Sequence, residues 1–256
     1  MLKTRVIPTL LWKNLGLVKG VGFDGWRRVG PVLPAIKVYN TRDVDELILV
    51  DISATIEAEE PDYESVSEFA EECFVPFTVG GGVRNCDQMQ KLLRSGADKI
   101  CLNSVAYSNT ELIGEAARRF GSQCVVASID ARRMDDASYR CFSHSGTIAT
   151  GLDPADWAKQ LEECGAGEIL ITSIDRDGTM LGYDLELVEK VTARVNLPVI
   201  ASGGAGSFEH MRQVIQEAGA SAVAAASIFH YTEMTLAEAK AALKLHGIAV
   251  RESFTE

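Results

Sequence analysis

The sequence predicts an α/β fold, an eight-stranded parallel β/α (TIM) barrel built from two half-barrel repeats, and three observations predict it. Short β-branched runs alternate with helix-like segments from end to end of the 256 residues, there are eight of them, and the second half of the chain repeats the first. About 250 residues is also the usual size of one such barrel. A single domain over residues 1–256 is therefore expected, with half-barrels at about 1–120 and 121–256. An open doubly wound sheet is the alternative, and eight units in two equal halves favour closure.

In order, the strand-like runs are Arg5 to Leu10, Glu46 to Val50, Phe77 to Val79, Lys99 to Leu102, Cys124 to Ile129, Glu168 to Thr172, Val199 to Ala201 and Ala222 to Ala226. Near-continuous apolar runs of this length are what strands covered on both faces require. Pro76 and Pro198 precede the third and seventh runs, where a missing backbone N–H is tolerated. The repeat is clearest here: PFTVGGGVRNCDQMQKLLRSGADKICLNSVA from Pro76 aligns with PVIASGGAGSFEHMRQVIQEAGASAVAAASIF from Pro198, with one residue inserted. Upstream, Asp51–Thr55 pairs with Asp175–Thr179, and Val6–Leu11 with Val125–Asp130.

A formal charge of −11 argues against nucleic acid or an anionic membrane as partner, because both need clustered Lys and Arg. No apolar run approaches the roughly 18 residues of a membrane span, and Met1–Arg5 leads straight into a strand without a signal-peptide core. A cytoplasmic location and a small ligand are expected. The six cysteines show no C-x-x-C spacing and read as reduced core thiols; His144, His210 and His246 read as surface or helix positions. No spacing suggests a metal or an organic cofactor.

Candidate site residues come from the ends of the strands. Gly81-Gly82 and Gly203-Gly204 follow the third and seventh runs, and Asn103-Ser104 and Ala226-Ser227 close the fourth and eighth. Glycines let backbone amides approach an anion, so each half presents one phosphate cradle, and the pair suits a ligand phosphorylated at both ends. A lone glycine pair would read as a tight turn; duplication favours the cradles. Asp51, Asp130, Asp175 and Asp177 lie at or just past C-terminal strand ends. A carboxylate among apolar walls can serve as acid or base. Asp130 is the first candidate, whereas Asp51 and Asp175 also fit a loop-orienting role. The position matching Asp130 in the first half is Leu11, which exchanges no proton. At the other end, Arg5, Glu46, Lys99 and Glu168 open their strands and fall in one layer, two cations against two anions. Such a layer is either a structural plug or a polar ring that admits a small molecule.

With these residues assembled, the chain resembles the cyclase subunit of imidazole glycerol phosphate synthase along nearly its whole length, through LVKG, FTVGGG, GADK, FGSQ, GAGEILITSIDRDGT and IASGGAG. The resemblance implies a glutaminase subunit docked at the barrel floor, ammonia passing the gate Arg5, Glu46, Lys99 and Glu168, and a twice-phosphorylated ribulosyl substrate cleaved and cyclised at the rim. It implies Asp130 as general base and Lys19, Asn103, Ser104, Asp177, Gly204 and Ser227 as substrate-end positions. The family's second catalytic aspartate, its general acid, corresponds to Leu11. VIPTLLWKNLGLVKG and YNTRDVDELILVDI look instead like a branch associated with glycosyl amidation in surface-polysaccharide pathways, whose members supply ammonia to a separate sugar amidotransferase. The expected function is therefore ammonia channelling for sugar amidation. The alternatives are an active cyclase of histidine biosynthesis, with Asp177 or water as the missing acid, and a scaffold that activates a glutaminase.

Overall fold

The computed structural model describes residues 3–14, 16–42 and 44–251; the expected domain limits at 1 and 256, and Met1 and Leu2, fall outside them. The described residues form twelve strands: β1 Arg5–Lys13, β2 Gly16–Val21, β3 Asp24–Gly30, β4 Leu47–Asp51, β5 Phe77–Gly80, β6 Lys99–Leu102, β7 Val125–Arg133, β8 Tyr139–Ser143, β9 Ile148–Ala149, β10 Glu168–Ser173, β11 Val199–Ser202 and β12 Ala222–Ala225. Their ten helices are α1 Val32–Thr41, α2 Tyr63–Glu71, α3 Cys86–Arg94, α4 Ser104–Ser108, α5 Glu111–Phe120, α6 Pro154–Cys164, α7 Leu185–Thr192, α8 Phe208–Gln216, α9 Ser227–Tyr231 and α10 Leu236–Leu245.

Eight strands pair in parallel round a closed ring, β1–β4–β5–β6–β7–β10–β11–β12 and back to β1. The expected barrel is therefore present. The period of two along each strand divides its side chains between two compartments. On β1, Val6 and Leu10 point outward into the layer beneath the helices, while Ile7 points inward. Ile7, Ile48, Cys101, Val126, Leu170, Ile200, Ala222 and Ala224 fill the middle of the barrel. Both compartments are buried, and that burial holds the ring closed.

The two halves match down to their backbone angles. Asp62 and Asp184 cap α2 and α7 with the same angles, φ −80° and ψ 91°, each accepting a backbone N–H three residues on. Asn85 and Ser207 cap α3 and α8 at φ −155° in the same way. Each half also carries a β-hairpin after its first barrel strand, β2–β3 in one and β8–β9 in the other.

Those hairpins lie outside the sequence expectation, and they lengthen two strands. β1 runs past Leu10 to Lys13 and β7 past Ile129 to Arg133, because each turns antiparallel against its hairpin. Asp130 thus sits within a strand, at the junction of barrel and hairpin. Smaller differences occur at other ends: Cys124 belongs to a 3-10 turn before β7, Glu46 precedes β4, and Ala226 is the cap residue of α9. All six cysteines are free, with Cys86, Cys101 and Cys141 buried and the other three half-buried. No described helix is long and apolar enough to cross a membrane.

Candidate active site

A cavity of about 830 Å³ occupies the rim where the barrel strands end. Barrel chemistry is found at this end because the loops there vary while the strands beneath hold them rigid. Lys19, Asp51, Gly81, Gly82, Asn103, Ser104, Asp130, Asp177, Gly203, Gly204, Ala226 and Ser227 all border it, so the structure brings the expected rim residues together. Leu11 borders it too. Asp175 does not: its carboxylate accepts the Arg133 backbone N–H at 2.9 Å, which leaves it the loop-orienting role.

The two glycine pairs are held to their conformation by space as well as by angle. Gly81 and Gly203 have φ of 107° and 89°, and a Cβ would lie 2.3 Å from the Asp51 carbonyl oxygen or 2.7 Å from that of Ser173. Beside them begin the short helices α4 and α9, whose cap residues Asn103 and Ala226 share φ −122° and make no side-chain cap hydrogen bond. Backbone amides at those two starts are therefore available to a ligand.

The carboxylates divide by environment. Asp51 Oδ1 accepts from Ser53 N, Ser53 Oγ and Ala54 N at 2.8–3.0 Å and so shapes the loop after β4. Asp177 accepts from Lys19 Nζ at 2.7 and 2.6 Å, a buried pair with side chains 12% and 3% exposed. Each of these two residues, expected to face substrate separately, occupies the other. Asp130 accepts a hydrogen bond from Asn103 Nδ2 at 2.9 Å. Burial, with the Asp177 charge adding to it, pushes the Asp130 carboxyl up to about 7. It is thus poised to exchange a proton near neutrality. The floor beneath holds Thr9, Ser128 and Thr172, and among the described residues the Thr9 hydroxyl has no hydrogen-bond partner.

One neighbour was missed in the sequence. His144 borders the cavity, half-buried, instead of lying on the surface. Its N–H donates to Ser104 Oγ at 2.9 Å, and its Nδ1 lies 3.0 Å from Ser143 Oγ. A lone histidine in a polar segment carries no signal for this position; the hairpin that delivers it was itself unread.

At the floor the four charges close on one another. Arg5 bonds Glu46 at 2.7 Å and Glu168 at 2.5 Å, and Lys99 bonds Glu46 at 3.0 Å and Glu168 at 2.8 Å. Thr78 Oγ1 donates to Glu46 as well. Burial alone would raise the Glu168 carboxyl, but hydrogen bonds and charge from Arg5 and Lys99 hold it below its usual range. The quartet borders no part of the rim cavity, and the apolar middle layer lies between them.

Fold and cavity together define a β/α barrel with a partly buried site, carboxylates among apolar walls, at its C-terminal rim. The chain belongs to the histidine biosynthesis protein family, whose model matches residues 5–235. Among curated proteins it is similar to "Imidazole glycerol phosphate synthase subunit HisF" of Streptococcus mutans, 46% identical over 251 residues that cover 98% of this chain and 100% of the relative. The protein of the same name from Hyphomonas neptunium is 49% identical over 251 residues, covering 98% and 99%. The family resemblance read from the motifs is borne out.

Proposed function

We propose that this chain is the cyclase subunit of an imidazole glycerol phosphate synthase, a lyase of histidine biosynthesis. It joins ammonia to a twice-phosphorylated ribulosyl substrate at the rim and releases imidazole glycerol phosphate and AICAR. The observation that carries the reading is Asp130: a buried carboxyl, titrating near neutrality, set between two matched cradles. The names of the full-length relatives point the same way, and against sugar amidation as the first reading. Gly81, Gly82, Asn103 and Ser104 hold one phosphate, and Gly203, Gly204, Ala226 and Ser227 the other. Asp130 is the general base, and Lys19 with Asp177 forms a charged pair facing the ligand between the cradles. A glutaminase subunit docks at the floor and releases ammonia below Arg5, Glu46, Lys99 and Glu168; passage requires Arg5 or Lys99 to leave a carboxylate. Expression of the chain in a histidine auxotroph lacking the cyclase tests the reading. Growth without histidine is expected, and no growth with well-expressed protein rejects it.

A second reading rests on one observation, Leu11 in the cavity wall. In it the barrel delivers ammonia to a sugar amidotransferase and no longer cyclises. Restored growth of the auxotroph rejects this reading.

A further inference from the structure

We propose that His144 is the proton donor of this site, taking the place of the carboxylate that residue 11 lacks; the proposal rests on the cyclase reading above. The charged side chains bordering the cavity, Asp130 apart, are committed. Asp51 is held by Ser53 and Ala54, Asp177 by Lys19, and Arg84 donates to the Glu59 carbonyl oxygen. A guanidinium does not give up its proton in proteins. Burial pushes the Cys101 thiol up to about 12 and raises the Tyr107 phenol further, so neither releases a proton near neutrality. Asp130 is engaged as base. Imidazole is the remaining side chain, and its ring nitrogens can both give and take a proton.

The backbone places His144 with unusual definition. It heads a left-handed stretch, with φ of 51° at His144, 54° at Ser145 and 79° at Gly146. Non-glycine residues hold such angles only where their surroundings impose them, commonly at functional sites. Here Ser104 Oγ accepts the His144 N–H, and Ser145 Oγ donates to the Ile52 carbonyl at 2.8 Å. The second contact ties the hairpin tip to the loop after β4, the strand that pairs with Leu11. Of the ring nitrogens, only Nδ1 is engaged among the described residues, by Ser143 Oγ. Nε2 is left for a ligand. Ser104 also follows Asn103, the hydrogen-bond partner of Asp130, so donor and base are hung from consecutive residues.

The step it serves is loss of water after ammonia has added to the substrate ketone. Asp130 takes a proton from the nitrogen, the C–N bond becomes C=N, and the C–O bond breaks. The imidazolium of His144 gives its proton to the departing oxygen, which leaves as water. Asp130 then returns its proton through solvent, and His144 is recharged.

The test is steady-state turnover of the ribulosyl bisphosphate with ammonium chloride, pH 5 to 10, for wild type, His144→Asn and His144→Gln. Asparagine tolerates the left-handed backbone, and circular dichroism confirms that each variant is folded. The expected result is a kcat lower by about 10²-fold with KM changed less than about threefold. The wild-type rate falls at alkaline pH, and that fall disappears in both variants. A merely structural role leaves that limb in place. Active wild type with folded variants that keep its rate and alkaline limb overturns the proposal and leaves the cyclase reading standing. No turnover by wild type overturns the cyclase reading, and this proposal with it.

Discussion

The two halves of the barrel share the caps and turns that build it and differ at one position of the rim, Leu11 in the first and Asp130 in the second. Asp62 and Asp184 cap their helices at identical backbone angles, Asn85 and Ser207 at nearly identical ones, and each half extends its first strand into a hairpin. Yet Asp130 in the second half is matched by Leu11 in the first. Scaffold and chemistry are therefore separable in this chain: caps and glycine turns recur because both halves must fold, whereas an inward side chain at a strand end is free to change. The floor shows the same separation. Three of its four charges, Arg5, Glu46 and Lys99, come from the first half and Glu168 from the second, and they close into one ring.

The comparison is broken most severely by Asp130→Asn. It removes the carboxylate while keeping the shape, and kcat is expected to fall about 10²- to 10⁴-fold, with the fold unchanged by circular dichroism. Arg5→Met removes one cation from the ring and leaves Glu168 and Glu46 short of a partner. A loss of about 3–5 kcal/mol is expected from breaking a buried pair in this way, read from urea denaturation. Leu11→Asp restores chemical symmetry to the rim and, in the His144→Asn background, is expected to raise turnover at least about tenfold; no rise in a folded variant means that the surrounding loops have changed as well. Asn85→Ala and Ser207→Ala sharpen the comparison at its subtlest. Equivalent caps are expected to cost about the same, about 1 kcal/mol each, measured by the same denaturation.

A further check uses pH. The Asp130 carboxyl is raised to about 7 in the folded chain, above its unfolded value near 4. The folded state therefore binds a proton that the unfolded state has lost, and this contribution to stability falls as pH rises between about 4 and about 7. His230 works in the opposite sense, since burial holds it down at about 4. The Asp130 effect is thus read as the difference between wild type and Asp130→Asn, whose neutral amide does not titrate: small near pH 4, it is expected to grow against the wild type as pH rises toward 7.

Much of this was legible in the sequence, for physical reasons that also mark where legibility ends. Strands buried on both faces are written as short apolar runs, so all eight barrel strands were visible, and a glycine at a crowded left-handed turn is written as itself. Gly81, Gly203 and the floor quartet were therefore placed correctly at their ends of the barrel. The hairpins were not visible. GLVKGV and DGWRRVG mix glycine with charged residues, Lys19 buried and Arg27 and Arg28 exposed, and β9 is only Ile148–Ala149, too short for any period. The consequences of the hairpins were lost with them. One is that β7 continues beyond Asp130; another is that His144 is carried to the cavity. The Lys19–Asp177 pair is invisible for a different reason, since 158 residues separate its partners and only ring closure brings them together.

The central claim is that Asp130 at the rim performs proton transfer in the reaction of ammonia with the substrate. The most direct measurement is the rate at which the purified chain converts the ribulosyl bisphosphate to imidazole glycerol phosphate with ammonium chloride as nitrogen source, wild type beside Asp130→Asn across pH 5 to 9. The account predicts a wild-type rate that climbs through about pH 7 as the carboxyl ionises, and almost none in the variant. Equal rates for the two proteins, or no product from wild type, would contradict it.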